Sequence, residues 1–256
     1  MQGRRAGSRD RREEGSHQGH RAVARAEKVT AAPAGRHWRI GTWNLAGAST
    51  PAHKDVLDDM ACDVLLLTEV RTDLTLDGYE RHTTSALMGP TKYWSAIYSR
   101  EPLELLPDPH PASAAARIGG VTMCASVMPW TLAAELWPWG PASHGERMRH
   151  TTDALASVLG SGPVVWGGDL NQPLTGNIAG FARAAQAVLI EELDRHGLQV
   201  PTRDLPGKNG QAAIDHIAAP RDWRVLDAGR IPVASLSDHD AYWVATVRKG
   251  FSGGFG

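Results

Sequence analysis

The chain has 256 residues, 42% hydrophobic and 21% charged, which excludes a wholly disordered or fibrous protein and leaves room for one large or two small globular domains. No apolar run approaches the ~18 residues of a membrane span: the longest candidate, Thr122 to Trp139, is broken by Pro129, Glu135 and Pro138. The net charge of −1 conceals an uneven distribution. Residues 1–36 carry nine Lys/Arg against four acids (+5), so the other 18 basic and 24 acidic groups leave a body at −6.

In chain order, that basic head comes first. It is rich in Gly, Ser and Arg, lacks apolar periodicity and is expected to be disordered. It reads as a nucleic-acid-binding arm, as a solvated tail, or as upstream sequence translated from a misplaced start. It shows no apolar core of a secretory leader. Cys62 and Cys124 form neither a CxxC nor a zinc spacing, so buried reduced thiols in a cytoplasmic monomer are expected.

From residue 37 strands alternate with helices. His37–Asn44 predicts a strand, and Pro51–Cys62 a helix with Val56, Leu57 and Met60 on one face. Asp63–Thr68 is a short run of buried-strand type, and Tyr93–Ser99 is another strand before the breaker Glu101-Pro102. Gly119–Val127 predicts one long strand, Glu146–Leu159 a helix stopped by Gly160-Ser161-Gly162-Pro163, and Pro163–Gly167 a strand. Ile178–Arg195 predicts a second amphipathic helix, and three strand-like segments follow: Ala213–Ala218, Arg224–Val233 and Tyr242–Arg248. The organisation expected is a 1–36 tail, one α/β domain over 37–250 and a flexible 251–256.

Polar residues punctuate the strand ends: Trp43-Asn44, Thr68-Glu69-Val70, Gly168-Asp169-Leu170-Asn171, Ile214-Asp215-His216-Ile217 and Ser237-Asp238-His239-Asp240. Strand ends collect at one edge of a sheet, where loops build sites. Acids, an amide and an imidazole converging there would make an oxygen-rich pocket suited to a hard cation such as Mg²⁺ or Mn²⁺. Taken singly, each piece also reads as an ordinary turn, cap or solvated strand end. The order is more demanding: Glu69 follows Asn44 by 25 residues, Asp169 follows by 100, Asp215 by 46 and Asp238 by 23.

In that order the chain resembles the endonuclease/exonuclease/phosphatase superfamily, which includes pancreatic DNase, class II abasic-site endonucleases, sphingomyelinases and inositol polyphosphate 5-phosphatases. The resemblance spans residues 38 to 248 through Ile40-Gly41-Thr42-Trp43-Asn44, Leu66-Leu67-Thr68-Glu69, Gly168-Asp169-Leu170-Asn171, Pro201-Thr202, Ile214-Asp215-His216-Ile217 and Ser237-Asp238-His239. It implies a four-layer α/β sandwich, two packed mixed sheets flanked by helices. It also implies a metal-dependent phosphodiesterase or nuclease acting on a phosphoester, nucleic acid among the options. Carried over, Glu69 is the principal metal ligand with Asn44 and Asp238 beside it. Asp169 orients or deprotonates the attacking water with Asn171 in support, His239 contacts the phosphate, and Asp215 holds His239. A phosphomonoesterase and a catalytically silent binding module of the same fold are the alternative functions.

One position departs from the family. Where an acid-donating His or Tyr is usual, this chain has Val127, in Cys124-Ala125-Ser126-Val127-Met128-Pro129. A slipped register would bring in Ser126, His110 or His144. Otherwise the leaving group needs no acid, or catalysis is lost. Trp130, Trp137 and Trp139 follow, as an aromatic wall for a base, lipid or aryl group or as a loop packed on its own domain. Arg117, Trp130, His144 and Arg147 are candidate substrate contacts, the arginines with solvated or salt-bridged alternatives.

Overall fold

The computed structural model describes residues 35–133, 136–141, 143–175 and 182–248. Its elements run β1 (Arg36–Asn44), α1 (Pro51–Asp59), β2 (Val64–Arg71), β3 (Glu80–Thr83), β4 (Leu87–Gly89), β5 (Lys92–Ser99), β6 (Glu104–Leu105), β7 (Ser113–Ile118) and β8 (Val121–Val127). Then come α2 (His144–Leu159), β9 (Val164–Asp169), α3 (Arg183–Arg195), β10 (Leu198–Gln199), β11 (Asp215–Pro220), β12 (Arg224–Ile231) and β13 (Ala241–Arg248). The first sheet orders β12-β13-β1-β2-β5-β3, with β4 also on β5. The second orders β10-β11-β9-β8-β7-β6. Both are mixed: β1 is parallel to β2 and β8 to β9, and the other pairs are antiparallel.

Alternation along the strands decides the layers. Trp38, Ile40, Val64, Leu66 and Ile97 of the first sheet meet Ala114, Ala116, Met123, Ala125, Val165 and Ile217 of the second in a core between the sheets. The opposite face of the first sheet, with Trp43, Leu65 and Leu67, packs on Leu57 of α1. The opposite face of the second, with Cys124 and Trp166, packs on Met148 and Leu155 of α2 and Leu189 of α3. The result is the expected four-layer sandwich. Thr50 precedes α1 with Pro51 at its first position. Ser143 opens α2, its Oγ accepting the Glu146 N–H while Glu146 reaches back to the hydroxyl at 2.5 Å.

The strand expected at Gly119–Val127 is β8, which starts two residues later at Val121 and is the second arm of a hairpin whose first arm, β7, was not expected. Gly119 and Gly120, at φ +54° and +75°, form the two-residue turn between Ile118 and Val121. Positive φ at both turn positions matches the twist of paired strands and is cheap only for glycine-like residues. The partner strand β7 is three alanines between Ser113 and Arg117, a composition with little strand propensity of its own. Helix α1 ends earlier than expected, at Asp59, because Ala61 turns to φ +48°. The expected helix start at Ile178, most of the 1–36 tail and the 251–256 end lie outside the described residues. No helix among the described residues is long and apolar enough to cross a membrane. Cys62 and Cys124 are buried free thiols.

Candidate active site

Strand directions bring the motifs together. Asn44 ends β1 opposite Thr68 of the parallel β2, so Glu69 lies one residue beyond. Asp169 ends β9 and pairs with Asp215, the first residue of the antiparallel β11. The turn before β13 carries Asp238 and His239, and β13 then runs back along β1. Two further bonds tie that turn to β1: Ser237 Oγ donates to the Asn44 carbonyl at 2.7 Å, and Trp43 Nε1 donates to the His239 carbonyl at 3.2 Å. Five strand ends thus meet at one edge of the sandwich.

Two backbone features aim the carboxylates. Glu69 lies at φ +51° inside a strand, a left-handed conformation costing about 1–2 kcal/mol for a residue with a Cβ. Its carbonyl is held by the Gly47 N–H at 3.0 Å. Gly168 sits at φ +131°, where a Cβ would lie 2.2 Å from the Ser126 carbonyl oxygen. Only glycine lets β9 press this close to β8 one residue before Asp169.

The polar network is continuous. Asn44 Nδ2 donates to Asp169 Oδ2 at 3.1 Å and lies 3.3 Å from Glu69 Oε1, while its Oδ1 accepts the Ala46 N–H at 2.9 Å. That last bond fixes the amide orientation. Asn44 therefore turns its NH₂ toward both carboxylates and bridges Glu69 and Asp169. Asp169 Oδ1 accepts the Asn171 N–H at 3.1 Å, and Asn171 Nδ2 is anchored on the Met128 carbonyl at 2.9 Å. His239 Nδ1 meets Asp215 Oδ2 at 2.6 Å, and its Nε2 faces Asp169 Oδ2 at 3.9 Å. Asp238 is exposed at the rim. A cavity of about 280 Å³ opens beside these groups, lined by Lys208, Asp215, Asp238, His239 and Tyr242.

Burial and charge compete here. Burial raises Asp169 to about 7 although the His239 charge pulls it down, and burial likewise raises Asp215. Burial alone would lower His239, but the carboxylates of Asp215 and Asp169 outweigh it and lift the imidazole to about 10. His239 is thus an imidazolium at neutral pH, a donor pointed toward a buried acid.

The donor set fits a hard cation. Carboxylate oxygens gather at this edge: those of Asp169 and Asp215 lie within 4.8 Å of each other and of a ring nitrogen of His239, which as an imidazolium offers no lone pair, Asp215 Oδ1 is buried without a partner, and Glu69 and Asp169 share a single amide. Oxygen ligands without a thiolate suit Mg²⁺ or Mn²⁺.

Other expected contacts lie elsewhere. Arg117 pairs across to Thr122, five residues and about 17 Å of strand from Val127, and binds exposed Glu104 at 2.9 Å. It is at the far end of the sheet. His144 is occupied: Nε2 lies 2.8 Å from the Pro129 carbonyl and Nδ1 3.3 Å from Thr131 Oγ1. Arg147 is buried, its Nη2 on the carbonyls of Trp130 and Thr131. Both brace the tryptophan segment from α2. Trp130 is half-buried, edge-on to Trp137 at 6.3 Å, and Trp137 is buried on Trp94 and Val127, so the segment packs on its own domain.

Val127 pairs directly with Asp169 and so stands beside the site. Ser126 points to the helix side, its Oγ accepting Trp166 Nε1 at 3.0 Å. His110 stacks on Trp137 at 5.2 Å, and burial lowers it to about 4. Lys92, which no motif marks, places Nζ 2.5 Å from Glu69 Oε2.

Comparison with known proteins agrees with this layout. The model of the Endonuclease/Exonuclease/phosphatase family matches residues 41–239. No curated protein sequence matches the chain. Among solved structures it is similar to an endonuclease/exonuclease/phosphatase from Beutenbergia cavernae DSM 12333, at 17% identity and TM-score 0.59, over 84% of this chain and 72% of that one. It is similar to the AP endonuclease LMAP from Leishmania major, at 16% identity and TM-score 0.61, over 83% and 88% of the two chains. It is also similar to a variant of the 3′ phosphatase NExo from Neisseria bound to product DNA hairpin, at 16% identity and TM-score 0.60, over 84% and 100%. At these identities the likeness is one of fold.

Proposed function

The chain belongs to the endonuclease/exonuclease/phosphatase family, whose activities are hydrolyses of phosphate esters, and from that premise we propose that it is a divalent-metal-dependent phosphodiesterase. The observation that carries this is the line of hydrogen bonds and one charge contact Asp215–His239–Asp169–Asn44–Glu69 at one edge of the sandwich. Glu69 and the rim carboxylate of Asp238 are the residues that would hold Mg²⁺ or Mn²⁺. When bound, such a cation neutralises charge on the phosphate and its leaving oxygen.

The remaining work falls to the chain. Asp169, oriented by Asn44 on one oxygen and Asn171 on the other, holds a water in line with phosphorus and accepts its proton, a contribution of about 10²–10⁴ in rate. The imidazolium of His239 donates from Nε2 to a phosphate oxygen, and Asp215 fixes its orientation and charge. Val127 gives the leaving oxygen no proton, so leaving groups of low pKa are favoured.

Nucleic acid is the substrate class proposed first, because two similar folds are an AP endonuclease and a DNA-bound 3′ phosphatase. The buried thiols support a reducing, cytoplasmic setting. Hydrolysis of plain duplex DNA, abasic duplex, RNA and small phosphoesters, each with Mg²⁺ or Mn²⁺, tests the reading. Cleavage confined to monoesters would make it a phosphomonoesterase, and no cleavage of any of them would make it a silent binding module.

A further inference from the structure

Glu69 is already held by a cation of the chain itself. Lys92 opens β5 opposite Arg71, the last residue of β2, and places Nζ 2.5 Å from Glu69 Oε2 while Asn44 Nδ2 faces the other oxygen. Gly47 makes room for the stem: a Cβ there would lie 3.2 Å from Lys92 Cδ. The two side chains are 29% and 20% exposed, so the contact lies at the mouth of the site.

We infer that Lys92 is a positioning residue that occupies Glu69 until a divalent cation displaces it, and that it then turns to the substrate phosphate. The inference rests on the reading of Glu69 as metal ligand. An ammonium and a divalent cation on one carboxylate compete, because the two positive charges repel at this distance. Lysine suits the exchange: its charge is a compact point on four flexible methylenes, and the partly open site lets water receive the head as it leaves. The anion that then meets it at the mouth is the phosphate. Lys92 should therefore weaken cation binding and strengthen phosphate binding. Loss of a merely structural ion pair would not produce those opposite signs.

The test is calorimetric titration of Mn²⁺ into the full chain, wild type and variants, followed by titration of dimethyl phosphate, an inert diester, at saturating Mn²⁺. Lys92→Met should bind Mn²⁺ roughly 5- to 150-fold more tightly, the usual range for coupled sites, and dimethyl phosphate several-fold more weakly. Lys92→Arg, which keeps the charge, should stay close to wild type. Should Lys92→Met not fold, Lys92→Gln carries the same expectations. Unchanged or weaker Mn²⁺ binding by the neutral variant overturns the inference, as does an Arg variant that binds as tightly as the Met variant, or unchanged diester affinity. Glu69→Gln separates the two failures: if it loses Mn²⁺ while Lys92→Met stays as wild type, only the role of Lys92 falls. If it binds Mn²⁺ normally, the assignment of Glu69 falls as well.

Discussion

Replacing His110 with Phe isolates the cost of a histidine kept neutral by burial. His110 is 3% exposed, stacked on Trp137 and edge-on to Trp139. Its Nδ1 accepts the Ala112 N–H at 3.1 Å, which puts the proton on Nε2, and Nε2 is buried without a partner. Burial, with a smaller push from His150, lowers its pKa from 6.5 to about 4. The folded value lies below the unfolded one, so the unfolded chain takes up the proton first. The stability His110 permits is full above pH 6.5 and is lost as pH falls toward 4. At pH 5 the loss relative to pH 7 is about 2 kcal/mol. Phe has the shape to keep the stacking and does not titrate. At pH 7 it leaves the buried Ala112 N–H unpaired and sheds the unsatisfied Nε2–H, each worth about 1–3 kcal/mol, so His110→Phe should be near neutral. Urea unfolding of both proteins at pH 7 and pH 5 reads the effect, because other titrating groups, buried His216 included, are common to both. The variant should gain about 2 kcal/mol on wild type between the two pH values. Parallel pH dependences would refute the reasoning.

Asp169→Asn and His239→Ala should each lower turnover about a hundredfold or more with the fold intact by circular dichroism; a wild-type rate in either would remove its assigned role. Gly168→Ala should destabilise by more than about 2 kcal/mol in thermal unfolding, since its Cβ would press on the Ser126 carbonyl at a φ closed to alanine; an unchanged melting temperature would show that β9 can draw back. Val127→His should flatten the dependence of rate on leaving-group pKa across a series of aryl and alkyl diesters. It should also cost about 1–3 kcal/mol, because Val127 is packed under Trp94 and Trp137; a dependence as steep as wild type would show that the imidazole does not reach the leaving oxygen.

The site was legible where chemistry and strand ends coincide. Asn44, Asp169 and Asp215 each terminate or open a strand and Glu69 lies two residues short of the end of β2, so hydrophobic runs broken by a polar residue marked them without knowledge of the sheet order. What the sequence hid was of two kinds. Strand β7 is built from alanines that become strand only because Met123 and Ala125 pair and pack beside them, although Gly119-Gly120 was a readable turn signal. Lys92 is 23 residues from Glu69 and reaches it only through the β2–β5 pairing, a relation that no local pattern carries. The candidate contacts Arg117, His144 and Arg147 rested on residue type, and their positions could not be read from the sequence. Their residue types suit phosphate, but Arg117 sits at the wrong end of β7, and the other two side chains are spent on the backbone of the tryptophan segment.

The central claim is that Glu69 anchors a cation on which phosphodiester hydrolysis depends. Its most direct test is the initial rate of bis(p-nitrophenyl) phosphate hydrolysis as Mn²⁺ is titrated into chelator-stripped protein, wild type beside Glu69→Gln. No rate in chelator, saturable recovery with Mn²⁺ in the wild type and a loss of at least about a hundredfold in the variant are predicted. A full rate in excess chelator, or a Glu69→Gln protein as fast as wild type, would contradict it.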